Sequence, residues 1–263
     1  MSNNSPIGVF DSGMGGLSVW RELRQMLPEE SLIFFGDGVR CPYGSRPESE
    51  VLQFTVEAVE ELIAQGCKLI VVACNTATAV AIDYLREHYP QIPFVGLEPA
   101  VKPAALTTKT GIVAVLATER SLGGRLFLQT SAKFEDKVQI IKAVGEGFVE
   151  IVERGEENST EAEQCVSRVI EPIIAAGADK IVLGCTHYPF LRAAIERVVA
   201  DRDVEIIDSG SAVSRRVAQL LDQHNLRADS SAEAEYRFIT LGDENYLKQL
   251  QARAYGCSSE ERA

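Results

Sequence analysis

Residues 66–85 read GCKLIVVACNTATAVAIDYL and change character at their midpoint. LIVV is an unbroken apolar run of strand length. After Cys74 come small and hydroxylated residues, with apolar side chains recurring at helical spacing. A strand apolar on both faces, followed by an amphipathic helix, is the building unit of a parallel sheet covered by helices. Residues 177–195, GADKIVLGCTHYPFLRAAI, follow the same plan of Gly, apolar strand, Cys, hydroxylated residue and amphipathic helix. One supersecondary unit used twice suggests two similarly built halves.

The same rhythm fills the rest of the chain. PIGVF, SLIFFGD, FVGL, GIVAVLAT, VQIIKA, VEIID and YRFITLG read as further strands, and LSVWRELRQML and residues 48–65 as helices between them. The expected fold is α/β: two similar domains with mainly parallel sheets covered by helices, and a site in the cleft between them. Residues 1–98 plus 209–263 would form the first domain, carrying Cys74, and 99–208 the second, carrying Cys185. GLEPAVKPAAL (96–106) is the expected crossing and EIIDSGSAVSRRV (205–217) the return. The C-terminal YGCSSEERA is polar and expected to fray.

With 263 residues, 46% of them hydrophobic, the chain can bury a large core. Its formal net charge of −12 argues against nucleic acid or an anionic membrane as a partner held by charge. A small anionic substrate stays compatible, because local dipoles can oppose the global field. No run is long enough to span a bilayer, and the opening MSNNSPIGVFDSG has neither a basic start nor an apolar signal core. The expected compartment is therefore the reducing cytoplasm. Six cysteines (41, 67, 74, 165, 185, 257) and three histidines (88, 187, 224) show no zinc-ribbon or iron–sulfur spacing. Cys67 and Cys165, in helix-like contexts, read as small buried hydrophobes.

Cys74 and Cys185 both end strands, where ligands of open parallel sheets collect. A thiol at a strand-to-helix junction faces the positive end of the helix, which favours the thiolate. Asn75, Thr76 and Thr186 add donors suited to a carboxylate. One such cysteine would suggest a nucleophile. Two suggest proton removal from one face of a carbon and delivery to the other. The plain alternative is two buried cysteines that merely end strands. FDSGMGGLSVW (10–20) is neither a dinucleotide fingerprint nor a P-loop. Its Asp11 and Ser12 would meet a substrate ammonium or orient a thiol, or else cap a helix. In FFGDGVRCPYGSRP (34–47), the backbone N–H groups around Tyr43 and Gly44 suit a carboxylate, although Pro-Tyr-Gly is also ordinary turn chemistry. His187 stands two residues after Cys185, close enough to hold its proton. Glu153, in FVEIVERGEE, belongs to the same network or is an exposed helical glutamate.

Taken in order, GVFDSGMGGLSV (8–19), PYG (42–44), ACNTATA (73–79), EPAV (98–101), IVERG (151–155) and GCTHYP (184–189) resemble the cofactor-independent glutamate racemase family, within the aspartate/glutamate racemase group. The resemblance implies that Cys74 acts on the α-proton of D-glutamate and Cys185 on that of L-glutamate. It makes Asp11 the assistant of Cys74, and Glu153 with His187 the assistants of Cys185. Asp11, Ser12, Tyr43, Gly44, Asn75, Thr76, Thr118, Thr186 and His187 would hold the substrate. It implies no pyridoxal phosphate and no metal, a possible homodimer, and a product, D-glutamate, used for peptidoglycan and so for the cell wall and cell shape. Where the family often has Gly-Thr-x-x-Thr, this chain has VAVLATERS (113–121), with Ala117, Thr118 and Ser121. Cys41 adds a third thiol beside the PYG loop. Aspartate or another acidic amino acid is the alternative substrate, and a non-catalytic carboxylate-binding protein the alternative class.

Overall fold

Every run read as a strand is one in the computed structural model, which describes residues 4–229, 231 and 233–256. Cys257 and the polar residues after it lie outside the described residues. The chain divides into two compact units, 4–97 with 210–256 and 98–209 within the described range, so it leaves the first unit after Leu97 and returns to it after Ser209.

The first unit runs β1 (Ile7–Asp11), α1 (Leu17–Met26), β2 (Leu32–Gly36), α2 (Glu48–Ala64), β3 (Leu69–Val72), α3 (Asn75–His88) and β4 (Phe94–Gly96), and resumes later in the chain. The second holds α4 (Val101–Thr107), β5 (Ile112–Ala117), α5 (Glu119–Gly123), α6 (Arg125–Ala132), β6 (Gln139–Val144), α7 (Phe148–Arg154), α8 (Thr160–Ala175), β7 (Lys180–Leu183), a 3-10 turn (Tyr188–Leu191), α9 (Arg192–Val199) and β8 (Glu205–Ile207). α10 (Gly210–Gln223), β9 (Tyr236–Thr240) and α11 (Glu244–Tyr255) complete the first unit.

Both sheets are wholly parallel, in the orders β4-β3-β1-β2-β9 and β6-β5-β7-β8. Counted within its own unit, each places the second strand outside the first, with the third and fourth on the other side. The first sheet adds β9 beyond its second strand. In such a sheet the order reverses between the first and third strands, and the loops at their carboxyl ends part to leave a crevice. The sequence puts Asp11–Ser12 and Cys74 at that point in one unit, and Thr118 and Cys185 at that point in the other. Even the backbone there is alike: Ala73 N–H donates to Phe10 C=O (2.7 Å), and Gly184 N–H to Leu116 C=O.

Every residue of β1, β2, β3 and β7 is buried. Strands covered on both faces need apolar side chains in both directions, hence the unbroken runs instead of alternation. In the first unit, Trp20 on α1 meets Tyr236 and Phe238 of β9 and Tyr255 of α11, with ring centres 5.4–5.7 Å apart. That contact draws the two late elements onto the early sheet. Among the described residues no helix is long and apolar enough to cross a membrane.

The residue before the third strand is a buried charge in both units, Lys68 in the first and Asp179 in the second. Asp179 anchors the turn that leads into β5, accepting from Thr108 Oγ1 (2.5 Å), Lys109 N–H (2.5 Å), Thr110 N–H (3.3 Å) and Thr110 Oγ1 (3.1 Å). Burial pushes this carboxyl up, but the hydrogen bonds outweigh it and hold the group below its usual range. A depressed carboxyl stabilises the fold above its unfolded pKa and loses that contribution as pH falls through its folded one. Asp179→Asn should therefore lower the urea midpoint at pH 7, and the gap from the parent should narrow below about pH 4. Equal gaps at pH 7 and pH 3 would contradict this assignment.

Candidate active site

The first cluster forms where β1 and β3 end. Cys74 has extended backbone angles and caps α3, its sulfur accepting the Ala77 N–H at 3.4 Å. That is the part usually taken by Ser or Asp, and it aims a helix N-terminus at the sulfur, favouring negative charge there. As a thiol, Cys74 donates to Ser12 Oγ at 3.5 Å. Asn75 and Thr76, the first two residues of α3, are buried beside it. The Asn75 Nδ2 donor is buried without a protein acceptor. A buried amide donor left unmet costs on the order of 1–3 kcal/mol, a cost that an incoming carboxylate would remove.

Asp11 anchors the turn into α1 without being its N-cap, which is Gly16. It is fully buried, and its Oδ2 accepts from Gly16 N–H (2.8 Å) and Gly13 N–H (3.3 Å), fixing the Gly-rich turn into α1. The turn needs glycine at 16, where a Cβ would stand 2.6 Å from that of Asp11. Position 11 thus both ends the strand and orients the loop that carries Ser12.

Tyr43 departs from a simple binding-loop picture. Its side chain is 1% exposed, packed against Phe10 and Phe54 with ring centres 6.3 and 5.9 Å away, and its hydroxyl donates to Asp37 Oδ2 at 2.6 Å. The Tyr43 hydroxyl is thus engaged within the loop.

In the second unit, β7 leads through Gly184 to Cys185. A Cβ at Gly184 would stand 3.0 Å from Ala117 Cβ, from Leu116 O and from Pro99 Cγ, so only glycine lets the strand end pass this close. The surroundings of Cys185 differ from those of Cys74. The expected α-helix does not start at once: a turn and the 3-10 segment intervene, because Pro189 sits two residues after His187, and α9 begins only at Arg192. In place of a long helix's N-terminus, the sulfur has an imidazole. His187 Nδ1 lies 3.8 Å from Cys185 Sγ, and its Nε2 lies 2.6 Å from Glu153 Oε1 on α7. A carboxylate accepts, so Nε2–H is the donor, and whenever the ring is neutral Nδ1 faces the sulfur as an acceptor. Cys185, Thr186 and His187 are all buried. Glu153 is partly so, with its side chain 18% exposed, so it is not the solvated helical glutamate that its sequence equally allowed.

Thr118 directly follows β5, as Ser12 directly follows β1. Its Oγ1 accepts Ser121 N–H (3.2 Å) and donates to Ser121 Oγ (2.9 Å), capping α5. Ser121 is thus the partner of Thr118 in this turn. Of the other cysteines, Cys165 on α8 is buried and donates to Glu146 C=O at 3.0 Å. Cys67 is buried too, with burial pushing its thiol up to about 12, but it lies in the turn between α2 and β3 and not in a helix, since Gly66 at φ +79° has already broken α2. Cys41 is half-buried beside Pro42. Each of the five described cysteines is a thiol and not part of a disulfide. Sequence reading passed over Asp37; its signal was an aspartate directly after an apolar strand, as at Asp11.

Each unit thus places one buried thiol just past the carboxyl end of its third strand, Cys74 beside Ser12 and Cys185 beside His187. The Asp/Glu/Hydantoin racemase family model matches residues 7–217, and the chain belongs to that family. Its relatives point more narrowly. It is 44% identical over 248 residues to the glutamate racemase of Herpetosiphon aurantiacus, covering 94% of this chain and 97% of that one. Among solved structures it is similar to the glutamate racemase isoform RacE1 of Bacillus anthracis (TM-score 0.85, 32% identity, 97% of this chain and 95% of that one). It is also similar to the glutamate racemase of Francisella tularensis in complex with D-glutamate (TM-score 0.82, 28% identity, 98% and 96%).

Proposed function

We propose that this chain interconverts L- and D-glutamate, with Cys74 and Cys185 as the two acid–base groups. The observation that carries the reading is the equivalence of the two thiols. Each stands at the switch point of a sheet whose first four strands share one order, one supported by a helix N-terminus and Ser12, the other by His187 and Glu153.

Inverting a stereocentre needs a base on one face of the α-carbon and an acid on the other. Cys74 as thiolate removes the proton of D-glutamate while the Cys185 thiol delivers one, and the roles exchange in the reverse direction. The α-proton is weakly acidic because the adjacent carboxylate must gain negative charge as it leaves. Donors fixed in place before the reaction offset that charge without reorganising, and Asn75 Nδ2, Thr76 and Thr186 supply them. His187 takes up or returns the Cys185 proton, and Glu153 holds the imidazole in the required tautomer. D-glutamate made this way serves peptidoglycan synthesis.

The test is proton NMR of the purified protein with D-glutamate in D₂O, with optical rotation followed in parallel. Loss of both the α-proton signal and the rotation is the expected result. A folded, reduced sample that changes neither overturns the reading, and faster turnover of aspartate than of glutamate would move the substrate assignment.

A further inference from the structure

Asp37 directly follows β2 and is wholly buried. Its Oδ2 accepts from the Tyr43 hydroxyl at 2.6 Å and stands 2.6 Å from Arg40 Nε, while Oδ1 is buried without a protein hydrogen-bond partner. Arg40 in turn reaches Glu57 Oε2 on α2 at 2.5 Å and lies 4.2 Å above the Phe54 ring. Backbone contacts close the same loop: Arg40 N–H donates to Asp37 C=O (3.3 Å), Arg46 N–H to Tyr43 C=O (3.1 Å), and Arg46 Nε to Arg40 C=O (2.6 Å). Asp37 N–H donates to Asp11 C=O at 3.0 Å, joining this loop to the strand end that precedes Ser12.

The only hydroxyl of the loop that a ligand would find within PYG is thus turned inward and held by a buried charge. Packing alone does not require that. Phe54 and Phe10 would receive a phenylalanine ring as well as a tyrosine, and a buried carboxylate with an unmatched oxygen is costly. A charge-assisted O–H···O⁻ contact at 2.5–2.7 Å is roughly twice as strong as a neutral one, and the distance here falls in that range. Burial, and then the adjacent Asp37, push the Tyr43 phenol far above its usual range, so it remains a donor across the working pH range.

We propose that Asp37 is a positioning residue: by gripping the Tyr43 hydroxyl it sets the backbone of Tyr43 and Gly44 against the substrate, and so governs substrate affinity and not the rate of proton transfer. The inference rests on the racemase reading, in which that backbone holds the substrate.

Tyr43→Phe removes the hydroxyl and keeps the ring, and Asp37→Asn keeps the shape and removes the charge. Each should raise KM for both enantiomers roughly tenfold, with kcat within about threefold of the parent, as expected for losing one hydrogen bond to a charged group. Because both act on one contact, the double variant should be no worse than the poorer single one. A merely structural contact would lower the unfolding midpoint and leave the KM of the folded enzyme unchanged. Unchanged KM in Tyr43→Phe, or a loss confined to kcat, overturns the proposal, and Tyr43→Phe decides the matter even if Asp37→Asn fails to fold. If the parent protein exchanges the α-proton while the variants keep their KM, only this inference fails. If the parent exchanges nothing, the racemase reading fails with it.

Discussion

Cys74→Ala and Cys185→Ala should each lower racemisation by roughly 10²- to 10⁴-fold or more, the range for removing a positioned acid or base. The two variants do not become inert in the same way. With Cys74 gone, Cys185 and its His187–Glu153 pair are intact, so L-glutamate should slowly exchange its α-proton for solvent deuterium with retained configuration. With Cys185 gone, Cys74 at the start of α3 should do the same to D-glutamate. Proton NMR on each pure enantiomer in D₂O, beside polarimetry, reads both effects. Racemisation near the parent rate in either variant would sink the two-thiol mechanism. Exchange of the wrong enantiomer would reverse the assignment of the thiols.

The largest effect on stability is expected far from this chemistry. Lys68 Nζ lies 2.6 Å from Glu30 Oε2, both side chains are 2% exposed, and Glu30 Oε1 accepts Ala228 N–H at 3.0 Å. Lys68 sits at the start of β3, and Cys74 lies past the other end of the same strand. Lys68→Met leaves a buried carboxylate without its cation and should cost about 3–5 kcal/mol. The Glu30→Leu, Lys68→Met pair should recover much of that loss, because replacing a whole buried ion pair by apolar groups is often neutral. Urea unfolding measures both, and the turnover per folded molecule should stay at the parent value. A single substitution costing under about 1 kcal/mol would mean that the pair is effectively solvated.

The strands were legible because burial on both faces forces continuous apolar runs, and no polar interruption blurs them. The two cysteines were legible because each ends such a run. Less legible was what surrounds them. Asp11 and Glu153 each had two readings, and side-chain geometry bears on both: Asp11 reaches two glycine N–H groups, and Glu153 reaches an imidazole 34 residues away in the chain. No local pattern encodes such a distant pairing. The repeated segment also overstated the likeness of the two sites, since Pro189 delays the helix after Cys185 while nothing delays the one after Cys74. Asp37 was missed because its partner is a hydroxyl six residues on, in a loop whose Pro and Gly already explained its turn.

The unequal support of the two thiols meets a constraint from outside the protein. Mirror-image amino acids have identical free energies in water, so the equilibrium constant is one and kcat/KM must be the same in both directions. A helix terminus is a fixed dipole, whereas an imidazole can carry a charge, so the two hands are held by different support, although kcat/KM keeps one pH profile in both directions. The difference has only one place to go: kcat and KM must shift together, by equal factors, in whichever direction is favoured. Saturating and trace concentrations would then show two different enzymes, one that prefers a hand and one that does not.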